Sequence, residues 1–235
     1  MSYLTPPHPC SYLPERYATN QFISPELTVD APLYNHLIEL GFRRSGNYVY
    51  RPRCFGCESC IPARIPVDAF KANRSQRRNW RTNQQLDVVA RPAAFDDEHF
   101  ELYRRYLAWR HDGGGMDNPS PRDYMGFLTS RGINTCFYEL RDRGRLAGVA
   151  VVDCLMDSLS AVYTFYDPEY RQRGIGVYAI LWQIAEARRL ELSWIYLGYW
   201  ISECSKMRYK GLFSPLEIYR RGRWVIADGI APTSH

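Results

Sequence analysis

The sequence predicts an α+β fold, a mixed sheet flanked by helices and preceded by a small cysteine-bearing N-terminal module. Three observations lead there. Residues 163–210 read as a strand, a glycine-turned helix start, a helix, a second strand and a short basic helix. Three runs between 136 and 166 alternate like successive strands of one sheet. Upstream, Cys54, Cys57 and Cys60 form C-x-x-C-x-x-C between Pro52 and Pro62, in a proline- and aromatic-rich region unlike the rest. A chain of 235 residues, 46% hydrophobic, can bury one large core or two smaller ones. The composition changes near residue 75, which divides the chain into a module over 1–75 and a larger domain over 76–235.

The first 35 residues lack helical periodicity and read as loop, with a short helix over 31–40 that Gly41 ends. Alternation over 47–51 and 61–67 predicts two short strands, separated by the cysteine loop. The very basic stretch 71–81 closes the module, and LDVVAR opens the sheet of the second domain. From Asp96, apolar residues at Phe100, Tyr103, Leu107 and Trp109 behind acids in the first turn predict an amphipathic helix, broken by Gly113–Gly115. Proline-started PRDYMGFLTSRG predicts a second helix. Strands over 136–140, 146–154 and 159–166 follow, with turns at 142–144 and near Asp157. After the glycine-turned helix come a strand over 194–200, the short basic helix, and a closing hairpin of 216–220 and 224–227.

Composition excludes several classes. No run of eighteen apolar residues exists, and MSYLTPPHPC has neither a basic nor an apolar leader region, so the expectation is a cytoplasmic protein with no membrane partner. Seven cysteines, an odd number with three tightly spaced, do not make an extracellular disulfide framework. Charge is uneven: residues 43–81 hold ten Arg or Lys against Glu58 and Asp68 alone, the footprint of a polyanion.

At the centre of the chain Arg171, Gly174 and Gly176 give R-x-x-G-x-G, which leaves backbone N–H groups free to face an anion at a helix start. N-acetyltransferase-like (GNAT-type) folds hold an acyl carrier's phosphates this way, and the order β-α-α-β-β-β-α-β-α-β-β is theirs. Fold-level analogy says little about substrate.

The blocks YRPRCFGCESCIPARIPV (50–67), YLAWRHDGGGM (106–116), FYDPEYRQRGIGVYAILWQI (165–184) and YLGYWISECSKMRYKGLFSPLE (196–217) are more specific. Together they resemble the bacterial aspartate/glutamate leucyltransferases, which are leucyl-tRNA protein transferases related to the eukaryotic arginyl-tRNA protein transferases. The resemblance covers almost the whole chain. It implies an aminoacyltransferase that moves leucine from leucyl-tRNA to the α-amine of proteins beginning with Asp or Glu, marking them for N-degron proteolysis. That chemistry is aminolysis of an activated ester. An α-amine with a pKa of about 8 needs only a modest base, so positioning and oxyanion stabilisation carry most of the rate and no cofactor is required.

The resemblance also places roles. Arg171, Gly174 and Gly176 would face the CCA end of the tRNA. Lys71, Arg74, Arg77, Arg78 and Arg81, with Trp80 among them, would contact phosphates and stack on an unpaired base. Tyr166 and Asp167 end the strand that exposes the reactive edge, Asp167 orienting or deprotonating the amine; the plainer reading is an Asp-Pro turn. Lys206, Arg208 and Lys210, on the helix after YLGYW, would grip the acceptor's carboxylate. His111 ends a helix, where a favourable C-terminal charge is the plainer role.

Cys54, Cys57 and Cys60, with Cys10 as a distant fourth thiolate, have the spacing of ligands for zinc or an iron-sulfur cluster. The eukaryotic relatives carry Cys-x-x-Cys near the N-terminus where this chain has Cys10-Ser-Tyr-Leu13, so one implied ligand is missing; reduced cysteines packed under the loop are the plainer reading. Competing functions are an arginyl-tRNA protein transferase, a coenzyme-A-dependent N-acetyltransferase and a non-catalytic RNA-binding protein. The extended basic stretch favours a tRNA over coenzyme A.

Overall fold

The computed structural model describes residues 1–110 and 118–227. The N-terminal third holds β1 (Ser2–Leu4), β2 (His8–Pro9), β3 (Tyr17–Ala18), β4 (Asn20–Ile23), α1 (Ala31–Glu39), β5 (Arg43–Ser45), β6 (Tyr48–Pro52) and β7 (Ile61–Pro66). Asp30 caps α1, its side chain accepting from Leu33 N–H, and Pro32 sits in the first turn, where its missing N–H costs nothing. The opening segment read as loop contains four very short strands. β2 pairs with β3, while β1, β4, β6 and β5 form a four-stranded sheet in that order. Two to four residues of pairing leave no periodicity to read.

Next come α2 (Arg74–Asn83), β8 (Asp87–Pro92), α3 (Asp97–Arg110), α4 (Pro121–Leu128), β9 (Thr135–Asp142), β10 (Arg145–Cys154), β11 (Ser158–Tyr166), a 3-10 turn over Pro168–Arg173, α5 (Ile175–Arg189), β12 (Trp194–Trp200), a second 3-10 turn over Arg208–Leu212, β13 (Glu217–Arg220) and β14 (Arg223–Ile226). Eight strands form one mixed sheet in the order β14-β13-β7-β12-β11-β10-β9-β8. Among the described residues only β11 and β12 run parallel, with α5 as their crossover. β7 lies on the N-terminal side of the expected boundary at 75, yet it is threaded between β13 and β12 of this sheet.

Helices cover both faces. On one, α5 buries Ile175, Tyr178, Ala179 and Ile184 against Ile65, Leu140, Leu159, Ile195 and Leu197. On the other, Leu102, Tyr103 and Leu107 of α3 and Tyr124 and Leu128 of α4 meet Phe137, Val149, Val151 and Phe165. Central β10 is buried on both faces, which is why it reads as a continuous apolar run.

The N-terminal sheet is tied to the large one by a buried ion pair. Arg44 of β5 donates Nε and Nη2 to the carboxylate of Asp153 on β10 at 2.7 and 2.6 Å, and both side chains are fully buried. Nη2 also donates to Leu128 O at 2.9 Å.

Candidate active site

Parallel pairing of β11 with β12 covers only Ser158–Trp194, Leu159–Ile195 and Ser160–Tyr196, after which the strands separate. Arg43 of β5 fills the opening. Its Nη1 donates to Leu197 O on β12 at 3.3 Å, and its Nη2 to Ala161 O and Val162 O on β11 at 3.3 and 2.5 Å. The approach depends on Gly198, whose φ is +70° and whose missing Cβ would lie 1.3 Å from Arg43 Nη1. Sequence reasoning missed Arg43. The available signal was the glycine in YLGYW, since a glycine inside a strand marks a bulge or a close approach, and a register irregularity does fall between Tyr196 and Gly198.

An aromatic wall stands beside this opening. Tyr166 packs on Tyr106 and Trp109 with ring centroids 5.2 and 5.8 Å apart, and Tyr106 meets Tyr163 at 6.2 Å. Burial pushes the Tyr106 phenol up to about 12 and raises that of Tyr166. α3 ends at Arg110; His111 and Gly113–Gly115 lie outside the described residues.

Asp167 is buried, and both carboxylate oxygens are engaged. Oδ1 accepts from Glu169 N–H at 3.0 Å, capping the 3-10 turn, while Oδ2 accepts from Arg105 Nη2 at 3.2 Å and Arg145 Nη2 at 2.9 Å. This is the geometry of an Asp-Pro turn pinned by two arginines.

Gly174 is left-handed, φ +64°, and opens α5. Asn79 of α2 donates Nδ2 to Arg173 O and Gly174 O at 2.9 and 3.1 Å, and a Cβ at 174 would come within 2.6 Å of that nitrogen. Gly176 faces open space, and Arg171 is exposed. Arg173 instead turns inward to Asp142 at 2.7 Å and Asn83 at 3.1 Å.

The basic stretch is a helix as well as a charge run. Asn73 and Gln76 form a reciprocal capping box, and Gln76, Asn79 and Asn83 give α2 an inner face of buried or half-buried amides. Arg74, Arg77, Arg78 and Arg81 are exposed on the outer side, beside exposed Lys71. Trp80 is half-buried, its ring 5.5 Å from Tyr178, so it anchors α2 to α5. Its freedom to stack on a base is correspondingly reduced.

Lys206, Arg208 and Lys210 do not share a face. Lys206 and Arg208 are exposed, whereas Lys210 is 6% exposed with Nζ donating to Tyr199 O at 2.7 Å. Burial, followed by the nearby Arg43 charge, pushes the Lys210 amine well below its ordinary range. The helix expected there is a five-residue 3-10 turn, which sends successive side chains to different sides.

Cys10 and Cys60 pack with Leu13, Ile201 and Cys204. The Cys60 thiol is pushed up to about 12 by burial and then by the neighbouring Cys10, Cys54, Cys57 and Cys204. Cys57 is lowered, first by the Ser59 N–H and also by Arg16, whose Nη1 lies 3.4 Å from its sulfur. Cys54 points to Thr19 O at 3.7 Å. Among the described residues no three His, Cys, Asp or Glu side chains are arranged to hold a metal ion.

Comparison with known proteins defines the class. The family model for the arginine-tRNA-protein transferase C terminus matches residues 98–220, that for the N terminus matches residues 8–78, and the chain belongs to this enzyme family. Its relatives carry a narrower name. Proteins called aspartate/glutamate leucyltransferase are 53% identical in Nitrosococcus oceani, over 95% of this chain and 94% of the relative, and 49% identical in Chromobacterium violaceum, over 94% and 92%. Among solved structures, FemX aligns with a TM-score of 0.43 at 9% identity, covering 84% of this chain and 79% of that one.

Proposed function

We propose that this chain is an aminoacyl-tRNA protein transferase that moves leucine from leucyl-tRNA to the α-amine of proteins beginning with Asp or Glu, marking them for N-degron proteolysis in the cytoplasm. The observation that carries the reading is the 53% identity to an aspartate/glutamate leucyltransferase over 95% of the chain. No helix among the described residues is long and apolar enough to cross a membrane.

In this reading the acceptor's neutral amine attacks the leucyl carbonyl carbon. A C–N bond forms, the ester C–O bond breaks, and the terminal ribose hydroxyl leaves with the proton the amine gives up. The reaction site is the opening between β11 and β12, in the manner of an N-acetyltransferase-like sheet. An acyl carrier that pairs with the separated strands would need the carbonyls that Arg43 occupies, which favours an ester donor presented from outside over coenzyme A. The aromatic wall of Tyr106, Trp109 and Tyr166 offers an apolar leucyl side chain a matching surface. The outer face of α2 with Arg171 provides cations for the tRNA backbone. With both Asp167 oxygens engaged, rate comes from positioning more than from a dedicated base.

The test supplies the purified protein with labelled leucyl-tRNA or arginyl-tRNA and a peptide beginning with Asp. Transfer of leucine is expected. Clear preference for arginyl-tRNA overturns the donor, and dependence on acetyl-coenzyme A overturns the reaction.

A further inference from the structure

A cavity of about 410 Å³ is lined by the N-terminal sheet, the β2–β3 hairpin with its connecting loop, the cysteine loop and Tyr199 of β12. That is the size of a small-ligand site, about 300–1,000 Å³. The sheet contributes one face to it. Tyr3 pairs with Phe22 and Phe22 with Tyr50, so β1, β4 and β6 each place one ring in a row, while Asn20, Tyr48 and Pro52 stand two residues along on the same strands. The Tyr3 and Phe22 rings stack with centroids 5.8 Å apart, those of Phe22 and Tyr50 5.4 Å apart, and Tyr48 meets Phe22 edge-on at 6.2 Å. At the inner end, Tyr50 lies 6.2 Å from the ring of Tyr199, and the residue opposite Tyr50 in register is Arg43, whose guanidinium sits between β11 and β12. The row therefore runs from edge strand β1 to the strand opening.

The chemistry of the lining selects its ligand. Tyr3, Tyr17 and Tyr48 are exposed, so flat apolar surface is on offer at the mouth. Among the described residues no Asp, Glu or Lys lines the cavity, and its one arginine, Arg16, is already paired with Glu203 at 2.7 Å. His8 is bonded through Nδ1 to Pro6 O at 3.2 Å. A carboxylate or an ammonium entering here would be desolvated without a free counter-charge. The half-buried amide of Asn20 makes no side-chain hydrogen bond among the described residues. An amide sets a donor beside an acceptor, as the edge of a nucleobase does. Next to the lining, between Pro52 and Cys54, exposed Arg53 donates from its side chain to neutral Gln21 alone, at 3.4 Å. An uncharged flat group joined to an anion matches this arrangement, and a nucleotide is that combination.

Resting on the function proposed above, we infer that this cleft holds the unpaired 3′ end of the donor tRNA, its bases stacked on the tyrosines of the N-terminal sheet and read by Asn20. Trp80, the one ring among the arginines of α2, packs on Tyr178, so α2 offers phosphate contacts without a stacking platform. The two surfaces divide the donor between them: α2 takes the backbone of the paired stem, and the cleft takes the single strand. The ester lies on the last ribose, so bases laid along the row from Tyr3 inward carry it toward the opening between β11 and β12.

The test uses RNA that carries no amino acid, so it is independent of transfer. Fluorescence anisotropy of the 5′-labelled RNA tetranucleotide ACCA is expected to show binding to the wild-type protein. Tyr3→Ala and Tyr48→Ala, both at exposed positions, are each expected to weaken it by about 5-fold to 150-fold, whereas Tyr48→Phe, which keeps the ring, binds as wild type does. Asn20→Ala is expected to weaken ACCA more than UUUU. With whole tRNA, Tyr48→Ala should weaken the intact molecule and leave unchanged the one trimmed of its last four nucleotides. ACCA binding indifferent to both tyrosine variants overturns the inference. So does equal weakening of intact and trimmed tRNA, the signature of a merely structural role, and so does displacement of nothing by ACCA from a cleft that binds the dipeptide Asp-Ala, which would give the cleft to the acceptor. The expected ACCA binding in a protein that moves no leucine would keep this site and reject the reaction.

Discussion

Two glycines of unequal prominence in the sequence have opposite structural roles. Gly198 combines φ +70° with an arginine nitrogen 1.3 Å from the position of a Cβ. Gly198→Ala is expected to cost about 1–3 kcal/mol through the backbone alone and to expel Arg43 from the strand opening. Urea unfolding reads the first effect, and a fall in the rate of leucine transfer reads the second. Gly176, within the R-x-x-G-x-G pattern, meets nothing within 4 Å and lies in the first turn of α5. Gly176→Ala is therefore expected to leave stability unchanged or raise it by up to about 1 kcal/mol, seen as an unchanged or higher Tm. The pattern that drew attention in the sequence is thus built around Gly174 and Arg173, and the less conspicuous glycine of YLGYW admits the central cation.

At the scale of elements, α2 shows where sequence reading stopped. Ten residues with one aromatic and four arginines give no apolar stripe, so the stretch reads as a basic run that contacts phosphates, with no helix assigned to it. The structure makes it a helix through the Asn73–Gln76 capping box, and seats it on α5 through Trp80 and the amides of Asn79 and Asn83. Periodicity scales count such amides as solvent-facing, and only the three-dimensional partner shows them inward. The exposed row Arg74, Arg77, Arg78 and Arg81 keeps the polyanion reading alive. If Arg77 and Arg78 each neutralise one phosphate, Arg77→Ala with Arg78→Ala should flatten the slope of log K for tRNA against log salt by about 1.4–1.8. Acceptor affinity should hardly change. An unaltered slope would return α2 to the status of a solvated helix whose business is packing on α5.

For the whole molecule, the long strands and α5 were legible because they alternate or run apolar over seven or more residues: 194–200 coincides with β12, and 146–154, 159–166 and 136–140 fall within β10, β11 and β9. What the sequence hid is how the N-terminal third is joined to them. β7 enters the large sheet, Arg43 enters the strand opening, and Arg44, its chain neighbour, pairs with Asp153 at 2.6 Å. Contacts 109 to 154 residues apart leave no local pattern. A second buried network ties α3 to β9, where burial works to raise Glu139 but hydrogen bonds from Arg141 and His99 outweigh it and hold the carboxyl at about 2. A carboxyl depressed in the folded state adds stability above its unfolded pKa of about 4.5 and loses it as pH falls toward 2. Glu139→Gln should therefore be less stable than wild type near pH 7, by about 1.5–3 kcal/mol, and the gap should narrow between pH 4.5 and 2 in acid unfolding curves.

The Arg44–Asp153 pair lets the union of the two sheets be tested directly. Both side chains are 0% exposed, and Thr135 Oγ donates to the same carboxylate at 2.8 Å. Asp153→Asn keeps the shape and removes one charge, leaving the Arg44 guanidinium buried without a counter-ion, a change that typically costs about 3–5 kcal/mol. If the N-terminal sheet and the large sheet fold as one cooperative unit, urea unfolding of the variant should remain a single transition, with a lower midpoint and an unchanged slope. If β5 instead detaches, the transition should split or its slope should fall, and because Arg43 leaves the strand opening with β5, leucine transfer should be lost before the fold is. Replacing both partners by apolar residues, Arg44→Met with Asp153→Leu, should recover much of the stability, since no unpaired charge then remains. Cooperative unfolding of Asp153→Asn with retained leucine transfer would show that β7, threaded through the large sheet, is sufficient to hold the two parts together.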